Sequence, residues 1–288
     1  MSESPLFRIR PMTISDIDQA MGLSTEEGWN QTEQDWKILV DCADNVCIVA
    51  EKDGRIIGTA TALNHSGKVA WIGMVLVDKP MRGMGAGKLL MTEIINRLAH
   101  VESVKLDATP AGQPLYKSLG FNDEFVINRM TTSSLKSIEY RYSGEKPKSI
   151  KKDGILQVVD RDKTVFGTER SYLLQKLFSF YPQKAFTFTE VTEKWGYALG
   201  RNGTRYNYIG PVCAARTEEA MGLIAAAMDP FHGKSVCLDV LADKTDLISW
   251  LESLGFSKQR EFVRMYQGKN PYPGKPEFQY LISGPEFG

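Results

Sequence analysis

Two stretches of this chain are copies of one pattern, and that repeat limits the folds open to it. VKLDATPAGQPLYKSLGFNDEFVINRM (104–130) and VCLDVLADKTDLISWLESLGFSKQREFVRM (236–265) agree at ordered positions. Val104, Leu106 and Asp107 match Val236, Leu238 and Asp239 at an offset of 132. Leu119-Gly120-Phe121 matches Leu254-Gly255-Phe256, and Arg129-Met130 matches Arg264-Met265, at an offset of 135. The change of offset is a three-residue insertion in the intervening loop. A length of 288 residues suits one large domain or two ordinary ones. The repeat decides for two copies of one α/β module.

The first copy reads as alternating strands and helices. A short strand at 7–10 precedes a helix capped by Thr13, with Asp16 completing a capping box and Ile14, Ile17, Ala20 and Met21 on one face. A second helix starts near Thr32. The runs CIVAEK and RIIGTATAL are joined by Asp53-Gly54, a strong hairpin signal, and KVAWIGMVLV follows a turn at NHSG. Leu90, Met91, Ile94, Ile95 and Leu98 then mark a one-sided helix. VKLDA is a strand, PLYKSLGF a short helix ending at Gly120, and FVINRM a last strand. The second copy shows a hairpin turned by Asn202-Gly203, a strand ending at IGPVCA and a helix from about Thr217. Between the copies, 131–153 lose periodicity and read as a linker. Its KPKSIKK cluster lacks the interleaved aromatics of a nucleic-acid patch, and a solvated linker is the better reading.

The loop RGMGAGK (82–88) puts three glycines and two cations in front of the one-sided helix. Glycines at 83, 85 and 87 let the backbone curl so that amides from about Met84 to Lys88 face an anion. The helix start adds roughly +0.5 charge, and Arg82 can add charge-assisted hydrogen bonds to a phosphate. A Walker A loop needs GxxxxGK and a following hydroxyl; here the spacing is one residue short and Leu89 replaces the hydroxyl. A dinucleotide fingerprint needs GxGxxG, and the spacing is GxGxG.

Arg82, Gly85 and Gly87 do satisfy (Gln/Arg)-x-x-Gly-x-(Gly/Ala), and here the chain resembles the GNAT superfamily of acyl-CoA N-acyltransferases. The strand KVAWIGMVLV leading into the loop, LYKSLGF, and the order of elements fit as well. EEGWN, LDATPAG, FGTER, GYALGRNG, IGPV and the paired RM extend the resemblance over nearly the whole chain, to YitH-like tandem GNAT proteins. It implies an α/β (α+β) fold of two GNAT-like domains, each a mixed, mostly antiparallel sheet flanked by helices. Residues 1–133 would form a catalytic domain, 134–153 a linker, and 154–288 a divergent domain without cofactor. The implied reaction is transfer of an acetyl group from acetyl-CoA to a primary amine on a small molecule or peptide. Arg82, Gly83, Met84, Gly85, Ala86, Gly87 and Lys88 would hold the pyrophosphate. Val75, Leu76 and Val77 would pair with the pantetheine arm, and Tyr116 would be the general acid. The alternative is a non-catalytic acyl-CoA sensor.

The general base is open, because VAWIGMVLV carries no acid. Glu26, Glu27 and Asp35 are candidates, with Glu27 preferred, and relay through water is a further route. Trp29 and Asn30 would shape the acceptor pocket, and Tyr197, Arg201 and Arg170 are possible contributors from the second copy. That copy lacks a glycine run at PVCAARTEEAMGLI, carries Glu218 and Glu219 in the first helical turn, and has Leu251 where the first has Tyr116. Zero formal net charge gives no global pull toward nucleic acid or anionic membrane. Four scattered cysteines and three distant histidines match no metal-site spacing, so no metal is expected. MSESPLFRIRPM has no apolar signal core and no run approaches the ~20 residues of a membrane span, so a cytoplasmic protein is expected.

Overall fold

The turns read from the sequence form where glycine and its neighbours permit a left-handed backbone. In the computed structural model, which describes residues 7–138, 146–188 and 194–288, Asp53 and Gly54 turn a hairpin at φ 50° and 77°. Ser66 and Gly67 turn the next at φ 53° and 72°. The first copy comprises β1 (Arg8–Pro11), α1 (Ile17–Glu26), α2 (Glu33–Val40), β2 (Val46–Lys52), β3 (Arg55–His65), β4 (Val69–Val77), α3 (Ala86–Arg97), β5 (Ser103–Ala108), α4 (Gln113–Ser118) and β6 (Phe121–Thr132). The second comprises β7 (Lys148–Ser149), α5 (Ile155–Phe166), α6 (Ser171–Phe180), β8 (Phe186–Thr187), β9 (Gly196–Arg201), β10 (Asn207–Ala214), α7 (Thr217–Met228), β11 (Val236–Leu241), α8 (Thr245–Ser253), β12 (Ser257–Gln267) and β13 (Gln279–Leu281). The capping boxes at Thr13/Asp16 and Thr32/Asp35 are both made.

All these strands join one mixed, mostly antiparallel sheet, in the order β1-β2-β3-β4-β5-β12-β6-β11-β13-β10-β9-β8-β7. The order exposes an exchange that neither copy announces by itself. β5 takes as its neighbour β12 from the second copy, and β11 takes β6 from the first. The registers are equivalent: Arg264 lies opposite Asp107 and Met265 opposite Leu106, while Arg129 lies opposite Asp239 and Met130 opposite Leu238. Each arginine forks onto the aspartate of the other copy, Arg264 at 2.9 and 3.0 Å and Arg129 at 2.7 and 2.7 Å. Each methionine enters the other copy's core: Met265 packs with Ile72, Leu90 and Leu106, and Met130 with Ile209, Leu223 and Leu238. The repeated Arg-Met is thus the key that sets the register of the crossed strands.

One apolar core runs across both copies, joining Leu23, Trp36 and Leu39 of α1 and α2 to Leu173, Leu174 and Leu177 of α6, with Trp71 and Phe287. Part of the stretch read as a linker is built in, since Lys148 pairs with Thr187 at the sheet edge. Positions 139–145 of that stretch lie outside the described residues. Among the described residues no helix is long and apolar enough to cross a membrane.

Candidate active site

β4 and β5 run parallel from Val69/Ser103 to Ile72/Leu106, and the described pairing stops there. Two features of β4 accompany the separation. A bulge sets Met74 at φ 50°, a left-handed conformation uncommon outside glycine. Thr59 and Thr61 hold it by donating to the carbonyl oxygens of Met74 and Gly73, at 2.7 and 3.0 Å. Gly73, next to it, lies so close to Glu286 that a Cβ there would sit 2.7 Å from the Glu286 Cα. The segment after β13 therefore rests directly on the opened strand, pinned where Trp71 Nε1 donates to the Pro285 carbonyl at 3.0 Å.

Two hollows meet at the opening. The larger, about 510 Å³, runs along Val75, Leu76 and Val77 to Arg82, Gly83, Gly85, Ala86, Gly87 and Lys88, with Glu27, Trp29, Thr109, Gly112 and Tyr116 on its walls. Gly83 and Gly85 take φ 78° and 87°, and a Cβ on either would meet open space. That is the shape of a cradle at a helix start, with amides free for an anion. Met84 stands 47 % exposed and does not line it. The smaller hollow, about 80 Å³, is bounded by Gln31, Ile72, Gly73, Met74, Leu106, Asp107, Arg129, Arg260, Phe262, Pro285 and Glu286. Trp29, Val75, Thr109 and Tyr116 line both.

Tyr116 is seated by its neighbours. Its ring tilts against Phe121 at 6.1 Å, and a Cβ on Gly112 would come within 2.9 Å of it. Its hydroxyl has no hydrogen-bond partner among the described residues. Burial pushes the phenol up to about 12, so it keeps its proton at any ordinary pH.

The other sequence candidates are distributed differently. Glu27 stands at the large hollow, paired with Arg82 at 2.5 Å and Lys79 at 3.7 Å, and does not line the small one. Glu26 faces out, its carbonyl taking a hydrogen bond from Lys79. Asn30 lines neither hollow. Its carboxamide oxygen accepts from the Arg205 and Tyr206 amides at 3.0 and 2.9 Å, and its nitrogen donates to the Tyr206 carbonyl, so it clamps the β9–β10 loop. Asp35 is buried behind the wall with Arg201, 3.0 Å away, and Arg201 also holds Glu286. Arg170 grips Asp162 and the Gly288 carbonyl, and Tyr197 donates to Asp162. These residues hold the wall and do not form it. Glu286 and Arg260 escaped sequence reasoning, because only the crossed strand and the folded-back segment bring them to the site.

In the second copy the start of α7 is closed. Glu219, in its first turn, is buried and pairs with Arg216 at 3.2 Å, which puts the chain's own negative charge at that helix start. Leu251 is buried in the core of that copy.

Comparison with known proteins follows the same division. Residues 14–121 match the acetyltransferase (GNAT) family, and residues 158–281 match a second model, an acetyltransferase (GNAT) domain. The chain is 25 % identical over 266 residues to the uncharacterised N-acetyltransferase YitH of Bacillus subtilis, covering 88 % of this chain and 90 % of that one. It is 25 % identical over 284 residues to holothin acyltransferase of a Pseudoalteromonas species, covering 98 % and 95 %. A solved structure from Pyrococcus horikoshii, described as an acetyltransferase, superposes with a TM-score of 0.82 at 20 % identity, covering 100 % of this chain and 98 % of that one.

Proposed function

We infer the reaction from what the chain is: a member of the GNAT acetyltransferases, with two GNAT domains in tandem. It moves an acetyl group from acetyl-CoA to a primary amine by direct attack, without an acyl-enzyme. The observation that carries this reading is the meeting of the two hollows at Tyr116 and Val75. The donor's pyrophosphate takes the amides of 84–88 together with Arg82, and its pantetheine arm lies along Val75–Val77. A backbone N–H of that strand meets the thioester oxygen as negative charge builds on it. The amine enters from the small hollow and attacks the carbonyl carbon, giving a tetrahedral intermediate. Collapse expels the thiolate, towards which the Tyr116 hydroxyl donates.

A lysine-like amine has a pKa of ~10.4, so only about one molecule in a thousand is neutral near pH 7.4. The two carboxylates lining the small hollow, Asp107 and Glu286, are both held by arginines. Water is therefore the better carrier of the amine's proton, and Glu27 serves the donor side. The reading is tested by free thiol release from acetyl-CoA across a panel of amines; no release with any amine would end it.

Arg82→Ala should weaken donor binding roughly ten- to a hundredfold, since a hydrogen bond to a charged group is worth ~1.5–3 kcal/mol. Calorimetry with CoA reads this directly, and an unchanged Kd would move the pyrophosphate elsewhere. The same titration should give one donor per chain, because Glu219 and Arg216 close the corresponding helix start in the second copy. Two equivalent sites would contradict that division of labour.

A further inference from the structure

One cation in the small hollow has no use in the fold. Arg260 on β12 lies directly opposite Arg129 on β6. Like charges facing each other across a strand pair destabilise the sheet unless something answers them. Arg129 is answered, by Asp239 at 2.7 Å and by the Phe262 ring 4.9 Å from its guanidinium. Arg260, half-buried in the wall, has no hydrogen bond or ion pair among the described residues. Burial and the neighbouring Arg129 both hold its pKa below the ordinary arginine value, with Arg205 adding to the effect and Asp239 opposing it.

The repeat supplies an internal control. At the offset of 135 that matches Arg264 to Arg129, Arg260 corresponds to Phe125. Phe125 lies opposite Arg264, its ring 4.9 Å from that guanidinium. The same place in the sheet thus holds a ring that satisfies its arginine in one copy, and a second cation facing a cavity in the other. Packing alone would favour the ring. Gln31 supplies a second unused group on the same cavity: it is 7 % exposed, and its Oε1 has no hydrogen-bond partner.

We propose that Arg260 binds a carboxylate on the acceptor and Gln31 accepts a hydrogen bond from its amine, so that the acceptor is an amine of amino-acid type. This rests on the transferase reading above. A singly charged carboxylate suits the site better than a phosphate dianion, because Asp107 and Glu286 share the wall and would repel the second charge. The cavity, about 80 Å³, fits a small head group.

The test compares L-amino acids with their carboxamides, and adds phosphoethanolamine, by thiol release at saturating acetyl-CoA. The acid of each pair should exceed its amide roughly ten- to a hundredfold in kcat/KM, the worth of a charge-assisted hydrogen bond, and should exceed phosphoethanolamine. Arg260→Gln should erase the preference through KM, and Arg260→Lys should keep part of it. A second readout needs no turnover. Arg260→Gln and Arg260→Phe should melt at or above the wild-type temperature, because each removes an uncompensated cation, and amino acids should raise the Tm of the wild type but not of Arg260→Gln. A variant melting several degrees lower would make Arg260 a structural residue and overturn the proposal. Equal turnover of acids and amides would overturn it too, with the transferase reading intact. Absence of thiol release, with amino acids still raising the wild-type Tm alone, would end the transferase reading and leave the anion site standing.

Discussion

Arg201→Met should lose about 3–5 kcal/mol of folding stability, the usual cost of removing one partner from a buried ion pair. At this chain length that is a fall of roughly 6–20 °C in Tm. Arg201 is 2 % exposed and lies between two carboxylates, Asp35 at 0 % and Glu286 at 3 %. Its guanidinium also donates to the Ser283 carbonyl and stacks 4.1 Å from Tyr208. Burial already pushes the Asp35 carboxyl up to about 6; Arg201 pulls it down, and Glu286 pushes it up. A carboxyl raised in the folded state binds its proton more tightly there than in the unfolded chain. Its contribution to stability therefore declines as pH rises from about 4 through 6. Without Arg201 the proton is held to still higher pH, so the variant's deficit should be largest near pH 8 and shrink toward pH 5. Denaturant melts at both values would show this, and a deficit independent of pH would mean the carboxylates are not what Arg201 answers. The functional consequence follows from what the two acids hold. Asp35 caps α2 beside Gln31, accepting from the Thr32 amide at 2.7 Å, and Glu286 lines the small hollow. Acceptor KM should rise while donor affinity stays close to normal.

The shape of the cradle at 82–88 was legible in the sequence, because it is made of backbone. Glycines at 83 and 85 are demanded by left-handed φ, and such demands are local. The hairpins at Asp53-Gly54 and Ser66-Gly67 were legible for the same reason. Most of the small hollow was not, since apart from Trp29 and its neighbours its residues come from elements distant in the chain. Gly73 is read as an ordinary strand residue until Glu286, more than two hundred positions later, is seen to rest on it. Asn30 sat beside Trp29 in the sequence and shared its expected role, yet the loop of 202–206 claims its side chain. The signal for the strand exchange was nonetheless present. A buried arginine repeated in both copies requires an acid whose side chain is buried with it, and Asp107 and Asp239 were the repeated acids. What a single sequence does not state is which arginine meets which aspartate.

Tyr116→Phe should lower kcat by ~10²–10³, the cost of removing one preorganised donor to developing charge, and leave donor affinity and Tm close to wild type. The substitution keeps everything that seats the ring: the contact with Phe121, the bare Cα of Gly112 and the hydrophobic surroundings of α4. It removes only a hydroxyl that the described residues leave unbonded. That separation of folding from chemistry is what makes the variant informative. The phenol's pKa of about 12 also limits what the hydroxyl does. A thiol has a reference pKa of ~8.5, so full transfer from such a phenol to a free thiolate is uphill. The role that fits is a hydrogen bond that strengthens as charge gathers on the departing sulfur, with the proton released by the attacking amine supplying the thiol in the end. Two consequences distinguish this from an ordinary general acid. The wild-type kcat should show no alkaline fall near pH 10, where an unperturbed phenol ionises. Donors with a better leaving group, such as an acetyl thioester of an aromatic thiol, should lose less rate on Tyr116→Phe than acetyl-CoA does. A kcat that survives the substitution while donor affinity collapses would return Tyr116 to packing, and would leave the meeting of the two hollows without a group to act on the sulfur.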